Sequence, residues 1–222
     1  MSLTPPPDAP AGPGPVRQLS LFGTEAADPS PADLAGLLAG PAEIVRMGGT
    51  ARLSVVVDAA WRVHVLVAEL ARRGLTAAWE AIEDRHRVRT SYTSVLAPLA
   101  LAWLPDGPDR PTDPPVGRDE PVVKRPPATF HLNGRRLRLW LAAAGVVEPS
   151  GFRLRLGAAD EHCREPVRRA LAAVGLPGAF LDAEPDGPAF RISGRRRLAR
   201  LAELVGDRPP AAPSAEWPPG TT

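Results

Sequence analysis

Lysine is almost missing: Lys124 is the only one among 27 Lys and Arg residues. Arginine carries nearly all the positive charge. Alongside abundant alanine and proline, this has the look of high-GC coding, so arginine content alone does not argue for a polyanionic partner. Cysteine is as scarce, with Cys163 alone. No internal disulfide is possible, and a reducing cytoplasmic compartment is expected. Long apolar runs are missing too. The longest, Val95–Leu104, is too short to span a bilayer and contains Pro98, so no membrane partner is expected. The N-terminus lacks a charged segment followed by an apolar run, which argues against a signal peptide. His64, His86 and His131 are isolated, with no metal-ligand spacing. There is no Gly-rich phosphate loop, since Gly48-Gly49 reads as a hairpin turn, and no Gly-x-Ser-x-Gly elbow. His162 and Cys163 are adjacent, so on a helix their side chains point about 100° apart and do not converge. No cofactor and no metal site are expected.

What is abundant is proline, 28 in 222 residues. It concentrates in three stretches. Residues 1–30 and 207–222 are expected to be disordered tails, and 105–127 a linker. Two blocks remain, 31–104 and 128–206. The formal net charge is only +2, but it is unevenly spread. The first block carries 8 Arg against 7 acids, and the second 13 Arg against 8 acids. That bias places the expected polyanion contact in the C-terminal half.

The two blocks read alike. In the first, Ala32–Ala39 has helical period and Pro41 ends it. A hairpin follows, Glu43–Met47 and Ala51–Val57. Asp58 is placed to cap a long helix, Ala60–Arg73. Strands Ala77–Glu83 and Arg87–Tyr92 flank Asp84-Arg85, and an apolar helix, Val95–Leu104, closes the block. The second repeats the order: helix Arg135–Ala144, strands Val146–Glu148 and Phe152–Gly157, helix Glu161–Val174, strands Ala179–Ala183 and Ala189–Ser193, helix Arg195–Val205. The fold class expected is α+β, two tandem αββαββα units with a pseudo-two-fold relation.

This order, with the short helices Leu34-Ala-Gly-Leu-Leu-Ala-Gly40 and Leu137-Arg-Leu-Trp-Leu-Ala-Ala-Ala-Gly145, resembles the LAGLIDADG homing-endonuclease fold. Within it the likeness is greatest to the WhiA-type regulators, whose lobes have lost nuclease activity. The resemblance spans about residues 31–206. It departs in lacking a C-terminal helix-turn-helix. An active nuclease of this type needs a carboxylate at the end of each short helix to hold divalent metal. The matching positions are Gly40/Pro41 and Ala144, which cannot bind metal; Glu43 and Glu148 lie further on. The resemblance therefore implies no catalytic residue and a chain that is not an enzyme, with a surviving nuclease as a rival.

The charged strands suggest where DNA would lie. Along Phe152-Arg-Leu-Arg-Leu156, Arg153 and Arg155 share one face, opposite the apolar side chains. Arg191 repeats this in Phe190-Arg-Ile-Ser, as do Arg87, Arg89 and Arg52 in the first block. In the fold resembled, helices cover one side of each sheet and the other forms a saddle on duplex DNA. Arg195 and Arg196, in a basic run opening the last helix, stand at the end the helix dipole disfavours, consistent with phosphate contact. The rival is a solvated arginine face.

Residues Gln18-Leu-Ser-Leu-Phe22 resemble the peptide by which bacterial polymerases and repair proteins bind the replication sliding clamp. That likeness implies that Gln18, Leu19, Leu21 and Phe22 engage the clamp. The alternative is a staple, with Leu21 and Phe22 packing on the protein's own first helix. The expectation is a monomeric, cytoplasmic, nucleoid-associated protein that binds double-stranded DNA without catalysis, recruited to the clamp in replication or repair. The alternatives are a WhiA-like transcription or division regulator and a protein-interaction scaffold.

Overall fold

The computed structural model describes residues 28–104, 123–158, 160–182 and 187–219. A 3₁₀ turn, Pro31–Leu34, runs into α1 (Ala35–Ala39). The hairpin β1 (Glu43–Met47) and β2 (Thr50–Val57) follows, then α2 (Ala60–Ala71), the hairpin β3 (Ala77–Ile82) and β4 (Arg85–Thr90), and α3 (Ala97–Trp103). The second unit contains α4 (Gly134–Ala144), β5 (Gly145–Glu148), β6 (Gly151–Arg155), α5 (Arg164–Ala173), β7 (Ala179–Leu181), β8 (Ala189–Ser193) and α6 (Arg195–Val205). The strands form two antiparallel sheets, ordered β1-β2-β4-β3 and β5-β6-β8-β7. Identical order in both confirms the tandem αββαββα architecture. Among the described residues no helix is long and apolar enough to cross a membrane.

The two units share one core, and α1 with α4 is its axis. α1 is apolar all round and so belongs inside, and α4 is apolar from Leu139 to its end, after Arg135, Arg136 and Arg138. Leu34, Leu37, Leu38 and Ala39 are buried on the first, and Leu137, Leu139, Trp140, Leu141 and Ala142 to Ala144 on the second. The helices approach so closely that a Cβ at Gly36 would run into the Arg136 carbonyl. A Cβ at Gly40 would lie 2.5 Å from the Trp140 ring. The Trp140 indole donates to the Arg155 carbonyl at 2.8 Å, tying α4 to β6.

Charge is buried at the start of this helix pair. Asp33 accepts from the Ser30 backbone at 2.9 Å and pairs with Arg73 at 3.2 Å and Arg135 at 3.1 Å. Glu69 on α2 pairs with Arg73 at 2.7 Å and with Arg138 on α4 at 3.2 Å. Burial pushes the Glu69 carboxyl up, but hydrogen bonding and charge from Arg73 and Arg138 outweigh it and hold the group below its usual 4.5. A depressed folded pKa contributes stability that is present above the unfolded value and lost as pH falls through the folded one. The melting midpoint is therefore expected to stay level from about pH 8 to about pH 5 and to drop below about pH 4. Glu69→Gln should shrink that acid-side drop; an unchanged profile would remove Glu69 from the account.

Three features depart from the sequence expectation. Residues 207–219 pack on the body instead of forming a loose tail. Trp217 is buried, its indole 3.5 Å from the Gly206 carbonyl and the Arg138 guanidinium over its ring. The last part of the linker is also fixed: Lys124 is buried and the Arg125 N–H donates to the Trp103 carbonyl at 2.8 Å. Asp58 is not the cap of α2. Ala59 holds that position, with no side-chain cap bond, and Asp58 reaches guanidiniums instead.

Candidate nucleic-acid interface

Pairing register decides which side chains share a face. In the first sheet Leu53, Val55 and Val88 point to the helices and are buried. The opposite face carries Arg52 and Ser54 from β2, with Ser54 beside Arg89 and Val56 beside Arg87. The same face of β4 carries Arg85, Arg87 and Arg89, and β3 adds Glu80 opposite Arg87. Arg85 and Arg89 are exposed and Arg52 and Arg87 half-exposed. Glu80 pairs loosely with Arg87 at 3.4 Å and Arg89 at 3.7 Å, all three side chains more than two-fifths exposed. Such solvated pairs contribute little and exchange readily for another anion. Arg52 lies over the Tyr92 ring at 4.9 Å.

Arg85 is the residue that sequence reasoning missed. Asp84-Arg85 had the look of a turn, so the strand was expected to begin at Arg87. The Arg85-His-Arg-Val-Arg89 alternation already contained the signal, and β4 begins at Arg85.

The second sheet is different. Arg153 and Arg191 are cross-strand partners on its outer face, as expected. Both are held by Glu148, Arg191 at 2.6 Å and Arg153 at 3.2 Å. Hydrogen bonding from Arg191 outweighs the effect of burial and keeps the Glu148 carboxyl below its usual range, so the ion pairs stay intact at neutral pH. Arg155 is corrected from a solvated side chain to one only 9% exposed, bound to Asp58 of the first unit at 2.8 Å. The excess positive charge of the C-terminal half is thus partly consumed internally. Arg195 and Arg196 are exposed in the first turn of α6, beyond the strands rather than on the sheet. Gln18, Leu19, Leu21 and Phe22 lie outside the described residues.

The ends of α1 and α4, where the fold resembled keeps its metal-binding acids, hold Pro41 and Ala144. Two other acids come close. Asp58, after β2, pairs with Arg62 at 2.8 Å, and Arg62 donates to the Gly145 carbonyl at 2.6 Å. Asp160, after β6, pairs with Lys124 at 2.9 Å, and Lys124 donates to the Gly40 carbonyl at 2.5 Å. Burial raises the Asp58 carboxyl, yet Arg62 and Arg155 together hold it below the ordinary range. Glu43 is exposed on β1 and Glu148 is occupied by arginines. Cys163 is fully buried, and burial, reinforced by Asp160, pushes its thiol up to about 12. A thiol that stays protonated is no nucleophile.

Paired sheets with a central helix pair define the LAGLIDADG-like fold, and comparison with solved structures agrees. The homing endonuclease I-WcaI, bound to its DNA recognition sequence, superposes with TM-score 0.52 at 12% identity, covering 78% of each chain. I-DmoI in complex with DNA and Mn gives TM-score 0.43 at 14% identity, covering 80% of this chain and 96% of that one; at that score it adds nothing to the argument. No family model and no curated protein matches the chain. One expectation is corrected here. The chain was expected not to be an enzyme, and the protein whose fold it shares, I-WcaI, is a homing endonuclease. Pro41 and Ala144 cannot bind metal and Glu43 and Glu148 lie further on in sequence, but folding carries two other acids to the helix ends, Asp58 and Asp160. These are the positions to change in any cleavage assay.

Proposed function

We propose that this chain binds duplex DNA through the outer face of its first sheet. One observation carries the reading: Arg52, Arg85, Arg87 and Arg89 share one face of adjacent strands, all partly or fully exposed, and the acid that pairs with Arg87 and Arg89 is itself solvated. Guanidinium groups suit both phosphates and guanine edges. The fold shared with I-WcaI, a protein bound to its DNA recognition sequence, supports it. One chain carries both sheets, so a monomer suffices. Fluorescence anisotropy with a labelled duplex across a salt series tests this. Four phosphate contacts predict a log–log slope of about −3 to −4. No binding, or binding indifferent to salt, would sink the proposal.

The Gln18–Phe22 segment supports a further element, recruitment to a sliding clamp. Leu21→Ala with Phe22→Ala should then abolish retention on immobilised clamp and leave the melting midpoint unchanged. Lost stability with unchanged clamp retention would favour the staple. A WhiA-like regulator would bind duplex in the same way without clamp retention, so the same pull-down separates the two.

A further inference from the structure

The two central helices end in protein cations. At the end of α1, the Lys124 ammonium donates to the Gly40 carbonyl at 2.5 Å and the Ala42 carbonyl at 2.6 Å, and pairs with Asp160 at 2.9 Å. At the end of α4, Arg62 donates to the carbonyls of Leu141 at 3.2 Å, Ala142 at 3.0 Å and Gly145 at 2.6 Å, and pairs with Asp58 at 2.8 Å. Both cations are 3% exposed. The arrangement follows the pseudo-two-fold. Each acid comes just after the second strand of its unit and holds the cation seated on the other unit's helix.

Helix C-termini leave carbonyl oxygens unpaired and carry partial negative charge. Two such ends side by side repel a polyanion unless something positive covers them. Two carbonyls and a carboxylate converging at one point, as around Lys124, are the ligand chemistry of a hard cation. The point is already filled. A divalent ion does not fit there unless Lys124 leaves. Residue choice supports this assignment. In a chain that otherwise uses arginine throughout, the single lysine stands where three oxygens converge on one point, the arrangement a compact ammonium fits.

We infer that Lys124 is a built-in cation filling a hard-cation site, and that with Arg62 it makes duplex binding independent of divalent metal. The second half rests on the DNA-binding proposal above. The first half is tested without DNA. Lys124→Met keeps the stem and vacates the charge, leaving the Gly40 and Ala42 carbonyls and Asp160 for Ca²⁺. Saturating Ca²⁺ at about a hundredfold over Kd should raise that variant's melting midpoint by about 5–10 °C and leave the parent unmoved. No Ca²⁺ response in a folded Lys124→Met would overturn the site. Lys124→Gln, which retains a donor for one carbonyl, serves if the methionine variant does not fold. The second half is tested on the parent alone, by anisotropy with a duplex in EDTA and in Ca²⁺ at matched ionic strength. Equal affinity within about twofold is expected. A gain of tenfold or more with Ca²⁺ would overturn it. A parent that binds no duplex in either buffer would refute the DNA-binding proposal, while the melting comparison still decides Lys124.

Discussion

Gly36→Ala is expected to lower the melting midpoint by about 6–12 °C, and Gly36→Val to prevent folding. In an exposed helix the alanine change would stabilise, by up to about 1 kcal/mol, because glycine is the poorer helix former. Here the sign reverses. The new methyl meets the Arg136 carbonyl, which is backbone and cannot rotate away. Relief requires moving α1 off α4. That loosens the contacts of Leu37, Leu38, Trp140 and Leu141, all fully or almost fully buried. Overpacking costs about 1–3 kcal/mol, a clash with rigid backbone belongs at the upper end of that range, and a domain of this size loses about 2–4 °C per kcal/mol. Gly49→Ala is the control: a Cβ there meets nothing within 4 Å, so its midpoint should hold or rise slightly. If Gly36→Ala melts with the parent, the close helix pair is wrong.

Local pattern revealed the order of elements, and tertiary placement hid the chemistry. Period-two alternation in Phe152–Leu156 and Arg87–Arg89 predicted which side chains share a face, and the register agrees. Alternation says nothing about what approaches that face from elsewhere. Asp58 lies 97 residues from Arg155 in sequence, yet their side chains meet. Glu148 and Arg191 are 43 residues apart. The first pair depends on how the two units dock and the second on the strand order within one sheet, neither of which a window of sequence contains. Lys124 shows the same limit. It lies in a Pro-rich stretch expected to be a linker, and only the docked helix end beside Asp160 gives it three oxygen partners. The Pro-rich C-terminus misled for another reason. Composition measures how poorly a segment folds alone, whereas Trp217 is stabilised by a body it packs against, including Arg138. The helix ends misled through adjacency. Replacement of the acid at Pro41 and Ala144 was visible, but the arrival of Asp160 at the first helix end and Asp58 at the second, each from the other unit, was not.

The arginine faces of the two sheets should differ sharply when tested on DNA. Changing Arg85, Arg87 and Arg89 together to Ala is expected to weaken duplex binding by about 10²–10³-fold at low salt and to flatten the log–log salt slope by about 2.7 units, three contacts at about 0.9 each. The acid that holds Arg87 and Arg89 on that face is Glu80, loosely placed and solvated, so DNA displaces it at small cost. The fold should persist, because exposed arginines contribute within about 0.5 kcal/mol. Arg153→Ala with Arg191→Ala makes the contrast. To touch a phosphate those two must first leave Glu148, a mostly buried carboxylate they already satisfy. Breaking that ion pair offsets most of what a phosphate contact returns, so the slope should change by less than about one unit. Glu148→Gln separates a spent arginine pair from an absent one. Removing the Glu148 charge from beside both guanidiniums should raise affinity and steepen the slope, the reverse of what loss of a contact residue does. Equal slopes for parent and the triple variant would mean that DNA does not lie on the first sheet. A larger loss from the Arg153/Arg191 pair than from the triple change would move the interface to the second.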